Sequence, residues 1–542
     1  MLLLAVLLLL SLAGYATAGT VIDPLPEETA LVVLDDGNVI PFGHKASEDA
    51  RGKKFREDAL LVKFKPGVAE AAKGNVHKRH GAKVHKEFGR LRMQQVKLPK
   101  GLSVADALEG YQADPEVEYA EPDFAVQSLA IPSDAMWGSL WGMSKIAAPQ
   151  AWDVSTGSSS VVVAVLDTGI DYTHPDLVDN VWLNPGKYVG YSGDLRGIDT
   201  FNGDSDPMDD HYHGTHVAGT IGAKGNNGIG VTGVNWNVKL LACKFLGAGG
   251  SGYVSGAIEC LDYVRKLKDA GVNIVATNNS WGASGYSQSL YDAIKAQGDI
   301  LFIVAAGNDG ADIEKVAVSP AGYPLPNVIT VAASDDNDRL AGFSNRGRST
   351  VHLAAPGTNI LSTFPGRNYN WLEGTSMAAP HVSGVAALLA ATGKDWKQTK
   401  NLILAGSDPV AALAGKTLTG RRLNAAQALS CVNRPLLVVQ QHPAQLQPGV
   451  PVVLSVLSVN CGAPAGPVTV TLPGGSTLQL LDNGLSPDAV AGDGVFSASW
   501  TPAGSSAVSL TFTSPAGTST VAVPALALAE TPTVTAPGTL LG

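Results

Sequence analysis

Three short segments of the chain carry side chains whose types could act together. Val163-Ala164-Val165-Leu166-Asp167-Thr168-Gly169 ends an apolar, β-branched run in a carboxylate. His213-Gly214-Thr215-His216-Val217-Ala218-Gly219 opens a helical pattern with an imidazole, and Gly374-Thr375-Ser376-Met377-Ala378-Ala379-Pro380-His381 opens another with a hydroxyl. A serine hydroxyl is a weak nucleophile near pH 7 and needs an adjacent base. Histidine suits that task because its ordinary pKa lies near neutrality. A buried aspartate holds the imidazole in the required tautomer and stabilises the imidazolium that forms. Singly, these residues read as a turn former, a structural histidine and an N-cap. Together, they read as a nucleophile, its base and the base's support.

Residues so far apart in sequence meet only if the fold brings strand ends and helix starts to one place. Val161–Leu166, Leu240–Phe245, Asn273–Asn278, Ile300–Ala305 and Val328–Ala333 are short apolar runs, with helical stretches such as Ser255–Lys268 and Ser287–Gln297 between them. Buried strands alternating with helices predict an α/β unit with a parallel sheet covered on both faces. In such a sheet the strand carboxyl ends and the following helix N-termini converge on one crevice. A serine at a helix start also gains from the dipole as negative charge develops.

The flanking texture differs on each side of this unit, which is expected over 128–431. Residues 59–127 read as a small α+β unit: Leu60-Leu61-Val62-Lys63-Phe64-Lys65 alternates like a strand and Pro66-Gly67 turns it. Residues 435–525 are rich in Pro, Val, Thr, Ser and Gly with short alternating runs, which predicts an antiparallel β-sandwich. Met1–Ala18, an apolar stretch closed by Ala16-Thr17-Ala18, reads as a secretory signal peptide, although it has no basic n-region. Residues 19–58 would be a linker and 526–542 a tail.

Composition narrows the classes further. Of 542 residues 45% are hydrophobic and only 16% charged, which excludes a disordered chain, a coiled coil and a basic nucleic-acid-binding domain. No apolar run reaches the ~18 residues of a membrane span. The net charge of −10 hides a division: residues 51–100 hold 15 Lys and Arg against 4 Asp and Glu, leaving 23 basic and 44 acidic groups elsewhere. One basic block on an acidic chain could serve as a nucleic-acid arm or dock onto the acidic remainder.

In the order Asp, His, Ser, the three segments resemble the signature blocks of the subtilisin-like serine proteases, over Pro132 to Leu429. The resemblance implies that Asp167 orients, His213 acts as general base and acid, and Ser376 is the nucleophile. Ala305-Ala306-Gly307-Asn308 resembles the block that supplies a side-chain donor to the oxyanion, Asn308. Gly250-Ser251-Gly252 and Ser280-Trp281-Gly282 resemble the two edges between which substrate adds as a strand. No charged pocket is evident, so the expectation is broad specificity with an apolar or aromatic leaning, and Asp309–Pro326 would finish the pocket wall.

The resemblance also implies structural calcium and no organic cofactor. Asp176 and Asn227 match the family's strong site, with Ile229 and Val231 offering backbone oxygens and Asp134 a further carboxylate. A second candidate is the acidic run with Asp199, Asp204 and Asp206, followed by Asp209 and Asp210. A third pattern, Asp482, Asp488 and Asp493, reads as plain turns. His211, His213 and His216 form H-x-H-x-x-H, a metallohydrolase spacing, but the protease blocks leave His216 to helix packing.

Ala59–Phe124 resembles the family's propeptide, an intramolecular inhibitor and folding aid, and its +11 balance suits docking on an acidic partner. Cleavage is expected between Ala125 and Ile131. His77, His80 and His85 in this block are expected to be inert surface histidines. Cys431 and Cys461 are expected to bridge, while Cys243 and Cys260 are left as either a bridge or two core residues. The whole reads as a secreted, monomeric serine endopeptidase made as an inactive precursor and acting on proteins or peptides. The rival from another class is an inactive binding protein on the same scaffold.

Overall fold

Alternating runs and continuous apolar runs sort the strands into two kinds, and each kind builds a different part of the molecule. A computed structural model describes residues 30–33, 39–42, 55–124, 131–186 and 193–525. The expected signal peptide, the tail at 526–542 and residues 125–130 of the expected cleavage region lie outside the described residues. Two compact units result, one ending at Ala130 and one beginning at Ile131.

In the first unit, Phe55–Phe64 lies within an antiparallel sheet ordered Lys83–Phe88, Met93–Lys97, Phe55–Phe64, Val117–Phe124. Leu60, Val62 and Phe64 are fully buried on one face, as period-two alternation requires. Helix Val104–Gln112 starts at Ser103, whose hydroxyl accepts the Asp106 amide. Helix Glu70–Arg79 buries Val76 and His77. His77 is therefore not the surface histidine that its basic helix suggests. Its Nδ1 meets the Tyr111 hydroxyl at 2.9 Å and its Nε2 the Gln94 Oε1 at 2.8 Å.

The second unit is organised on a nine-stranded sheet. Its order is Asp408–Pro409, Arg421–Arg422, Leu353–Pro356, Val328–Ser334, Leu301–Ala305, Ile274–Asn279, Gly157–Asp167, Asn237–Lys244, Gly197–Asp199. All pairings are parallel except that of Asp408–Pro409 with Arg421–Arg422. The strand order reverses at Gly157–Asp167, which places the ligand crevice at its carboxyl end. Val162, Ala164 and Leu166 pack on the side of helices Val254–Asp269 and Gln288–Lys295. The alternate residues, Asp167 among them, face the side of helix Thr375–Ala391. That helix is apolar around its whole circumference, and the sheet and the neighbouring helix His213–Gly222 bury it accordingly.

After Cys431 the strands alternate again and form two four-stranded antiparallel sheets. Leu454, Val456, Val468, Val470, Leu510 and Phe512 meet between them. The Cys431–Cys461 bridge joins this sandwich to the parallel-sheet region, and Cys243–Cys260, left open by the sequence, is also bridged. Nearby, Asn401 Nδ2 donates to the Asp493 carbonyl at 3.0 Å and Lys397 Nζ to the Ala491 carbonyl at 2.7 Å.

Candidate active site

Asp167 ends its strand fully buried, and its Oδ1 lies 2.8 Å from His213 Nδ1. The same oxygen accepts the Thr168 amide at 2.8 Å, while Oδ2 is buried without a partner. Helix His213–Gly222 comes close enough to make this pair because residue 214 is glycine; a Cβ there would collide with the Gly169 carbonyl oxygen. Its first turn is held by Asp209, which accepts the Thr215 hydroxyl at 2.6 Å, the Thr215 amide at 2.9 Å and the Thr168 hydroxyl at 2.9 Å. Burial alone would lower the pKa of His213, but the charge and hydrogen bond of Asp167, joined by Asp209, raise it above its ordinary value.

Ser376 opens helix Thr375–Ala391 and is half-buried. Its hydroxyl donates to the Ser280 carbonyl at 3.1 Å, and the Ser280 hydroxyl donates back to the Ser376 carbonyl at 2.9 Å. The second bond has a covalent cause. Pro380, four residues on, has no N–H to give that carbonyl. The reciprocal pair fastens the start of the helix to the Ser280-Trp281-Gly282 edge. Asn308 follows strand Leu301–Ala305. Its Oδ1 accepts the Thr375 amide at 2.9 Å and the Thr375 hydroxyl at 3.0 Å, which leaves Nδ2 as the group free to donate.

One cavity is lined by His213, Gly250, Ser251, Gly252, Ser280, Trp281 and Gly282, so both candidate edges face it together with the imidazole. Gly252 bridges Leu246, a turn that requires glycine because a Cβ would strike the Phe245 carbonyl. Trp281 packs edge-on against Phe245, with ring centroids 4.9 Å apart. Beyond Gly282, Ala283–Ser284 pairs with Val318–Ser319, bringing part of the 309–326 segment alongside this edge. His211 also lines the cavity, a position the sequence reading gave to metal spacing. His216 instead is buried, its Nε2 directed at the Ile360 and Asn370 carbonyls, and burial pushes its pKa down to about 4.

The calcium-candidate residues behave differently from one another. Asp134 and Asp176 are both buried, burial raises both pKa values, and the charge of Asp176 raises that of Asp134 further. Asp134 Oδ1 is buried without a partner, while Asp176 accepts Asn227 Nδ2 at 2.7 Å and the Val231 amide at 2.9 Å. An orphaned carboxylate oxygen beside a second buried carboxylate and an amide is a donor set that fits calcium. The Ile229 amide caps Asn227 Oδ1 at 3.0 Å, which holds the loop's turn.

Asp199, Asp204 and Asp206 do not draw together in this way. Asp199 accepts the Phe201 and Asn202 amides and Asn202 Nδ2, Asp204 accepts the Asp206 amide, and Asp206 accepts the Tyr172 hydroxyl. Among the described residues, the group of three carboxylates close enough to hold one ion is Asp482, Asp488 and Asp493, with ligand atoms within 4.8 Å of one another. Each of these also caps backbone amides, as turn residues do.

Set on this parallel sheet, a carboxylate–imidazole pair at a strand end and a helix-start serine bonded to the Ser280 edge of the same cavity fit the class of hydrolases that work from a strand-end crevice. The comparisons with known proteins make the class specific. Residues 158–424 match the subtilase family and residues 43–123 the fervidolysin N-terminal prodomain. A thermophilic serine proteinase of Bacillus sp. (strain AK1) is 35% identical over 380 residues, covering 69% of this chain and 88% of that protein. An alkaline protease of Alkalihalobacillus alcalophilus is 39% identical over 301 residues, covering 54% of this chain and 68% of that protein. A crystal structure of a cold adapted subtilisin-like serine proteinase aligns at 32% identity with a TM-score of 0.42, covering 49% of this chain and 90% of that one.

The chain belongs to the subtilase family. It is a subtilisin-like serine endopeptidase made as a precursor with an N-terminal prodomain. Among the described residues, no helix is long and apolar enough to cross a membrane.

Proposed function

We propose that the protein is an exported, self-processing precursor whose mature form cleaves protein substrates through Ser376, His213 and Asp167. The observation that carries this reading is the 2.8 Å Asp167–His213 bond at a cavity whose lining residue Ser280 accepts the Ser376 hydroxyl. Substrate lies as an added strand between Gly250–Gly252 and Ser280–Gly282. The Ser376 hydroxyl turns from the Ser280 carbonyl toward His213, loses its proton to Nε2 and attacks the scissile carbonyl. Asp167 stabilises the resulting imidazolium. Asn308 Nδ2 and the Ser376 amide receive the oxyanion. His213 then protonates the leaving amine, and water repeats the sequence on the acyl-enzyme.

The prodomain acts as the intramolecular inhibitor, its basic block complementing the acidic remainder, and Met1–Ala18 directs export. The test is expression of wild type and Ser376→Ala in calcium-containing buffer, with mass and casein hydrolysis followed over time. Wild type should shorten near residues 125–131 and then digest casein, while the variant stays full length and inert. Equal processing of both would overturn self-cleavage, and equal casein hydrolysis would overturn the assignment of Ser376.

Calcium is proposed at Asp134, Asp176, Asn227, Ile229 and Val231, where it would neutralise two buried carboxylates. A ligand at 100 times its Kd stabilises by about 2.7 kcal/mol. Chelation should therefore lower the melting temperature of the wild type, and Asp176→Asn should remove most of that response. A melting temperature indifferent to chelator in the wild type would refute the site.

A further inference from the structure

One buried cation joins three of the segments around the crevice. Lys244 ends strand Asn237–Lys244, in register with Asp167, and its side chain is 1% exposed. Its ammonium has three protons to give, and each finds an acceptor: the Thr168 carbonyl at 2.9 Å, the Leu246 carbonyl at 2.7 Å and Asp210 Oδ1 at 2.6 Å. Thr168 follows the carboxylate that supports the base. Asp210 lies three residues before the base itself. Leu246 starts the turn that delivers Gly250-Ser251-Gly252 to the cavity and bridges back to Gly252. Beyond the Asp167–Lys244 pairing the two parallel strands have no further ladder, and the Phe245 and Leu246 amides both bend toward the Asp167 carbonyl. The side chain of Lys244 spans that divergence.

We propose that Lys244 is a positioning residue that sets the substrate-pairing edge against the base loop, so that extended peptides gain a rate advantage over short ones. This rests on reading Gly250–Gly252 as the edge to which substrate adds. The three arms have separable consequences. Two hold backbone carbonyls, one of them on the edge strand. The third is an ion pair to an exposed carboxylate on the base loop. Losing the carbonyl arms lets the edge drift, which costs most where several substrate residues pair with it. Losing only the Asp210 arm loosens the base loop, which affects every substrate alike.

The experiment compares kcat and KM of mature enzymes on a tetrapeptide anilide and a single-residue anilide with the same residue before the scissile bond, beside their melting temperatures. Wild type should prefer the longer substrate. Lys244→Met should cut that preference by about tenfold or more, mainly through KM of the tetrapeptide. Asp210→Asn should lower kcat on both substrates by similar factors and keep the preference. Asp210→Arg leaves the buried position intact but repels the ammonium, so it should lose the preference too and serves if Lys244→Met does not fold. If Asp210→Arg and any folded Lys244 variant retain the wild-type preference, or lose both substrates in equal proportion, Lys244 only fills space. If wild type shows no preference for length, the edge reading fails and this inference with it.

Discussion

The prodomain buries His77 and the parallel-sheet unit half-buries His213, and the two are driven in opposite directions. For His77, burial lowers the pKa, the bond to Gln94 resists only in part, and the neighbouring His80 pushes the same way as burial. For His213, burial also pulls downward, yet the anion on Nδ1 and the nearby Asp209 reverse the outcome. Both rings are hydrogen-bonded. The charge of the partner, not burial, sets the sign. A neutral hydroxyl and amide leave a buried histidine whose uncharged form is favoured, whereas a carboxylate favours the protonated form that turnover needs.

The most severe way to break this contrast is to give His213 a neutral partner as well. Asp167→Asn should lower kcat by about 10⁴-fold. The acid limb of its kcat/KM profile should also move to lower pH, because only the charge of Asp209 then opposes burial. A limb that stays in place would mean that Asp167 does not govern His213.

The smaller effect lies in the prodomain and is read on the Ser376→Ala precursor, in which self-cleavage should not intervene. The folded pKa of His77 is below its ordinary value, so the unfolded prodomain binds more protons as the pH falls. Its contribution to stability is complete above about pH 6.5 and is lost as pH drops through the folded value, by up to about 1.4 kcal/mol per pH unit. Hydrogen exchange in Phe55–Phe64 should accelerate between pH 7 and pH 5, and His77→Gln should flatten that response. Unchanged exchange in the wild type would show that His77 is protonated without cost.

The two histidines also mark what the sequence discloses. The segment around His213 is readable because glycine, an apolar run and a helix start surround it, and each has a local cause. The burial of His77 comes from Gln94 and Tyr111, which lie far along the chain, while its own helix is polar enough to suggest a surface. Lys244 is similar: it looks like the polar end of an apolar strand until Thr168, Leu246 and Asp210 are seen around it. The strands at Val328–Ser334 and Leu301–Ala305 fall where the apolar runs place them. The hairpin of Ile360–Phe364 with Asn368–Leu372 carries no comparable signal. The acidic run at Asp199, Asp204 and Asp206 reads as a calcium candidate in the sequence, and in the structure short-range backbone amides bond these carboxylates.

The Cys431–Cys461 bridge has a consequence for a protease exposed to its own activity. A cut anywhere from Val432 to Asn460 leaves the two fragments tethered through sulfur. Such nicked molecules would co-migrate with intact chain on a non-reducing gel and separate only once a thiol is added. Wear in that stretch would thus accumulate unseen in any preparation judged by size alone.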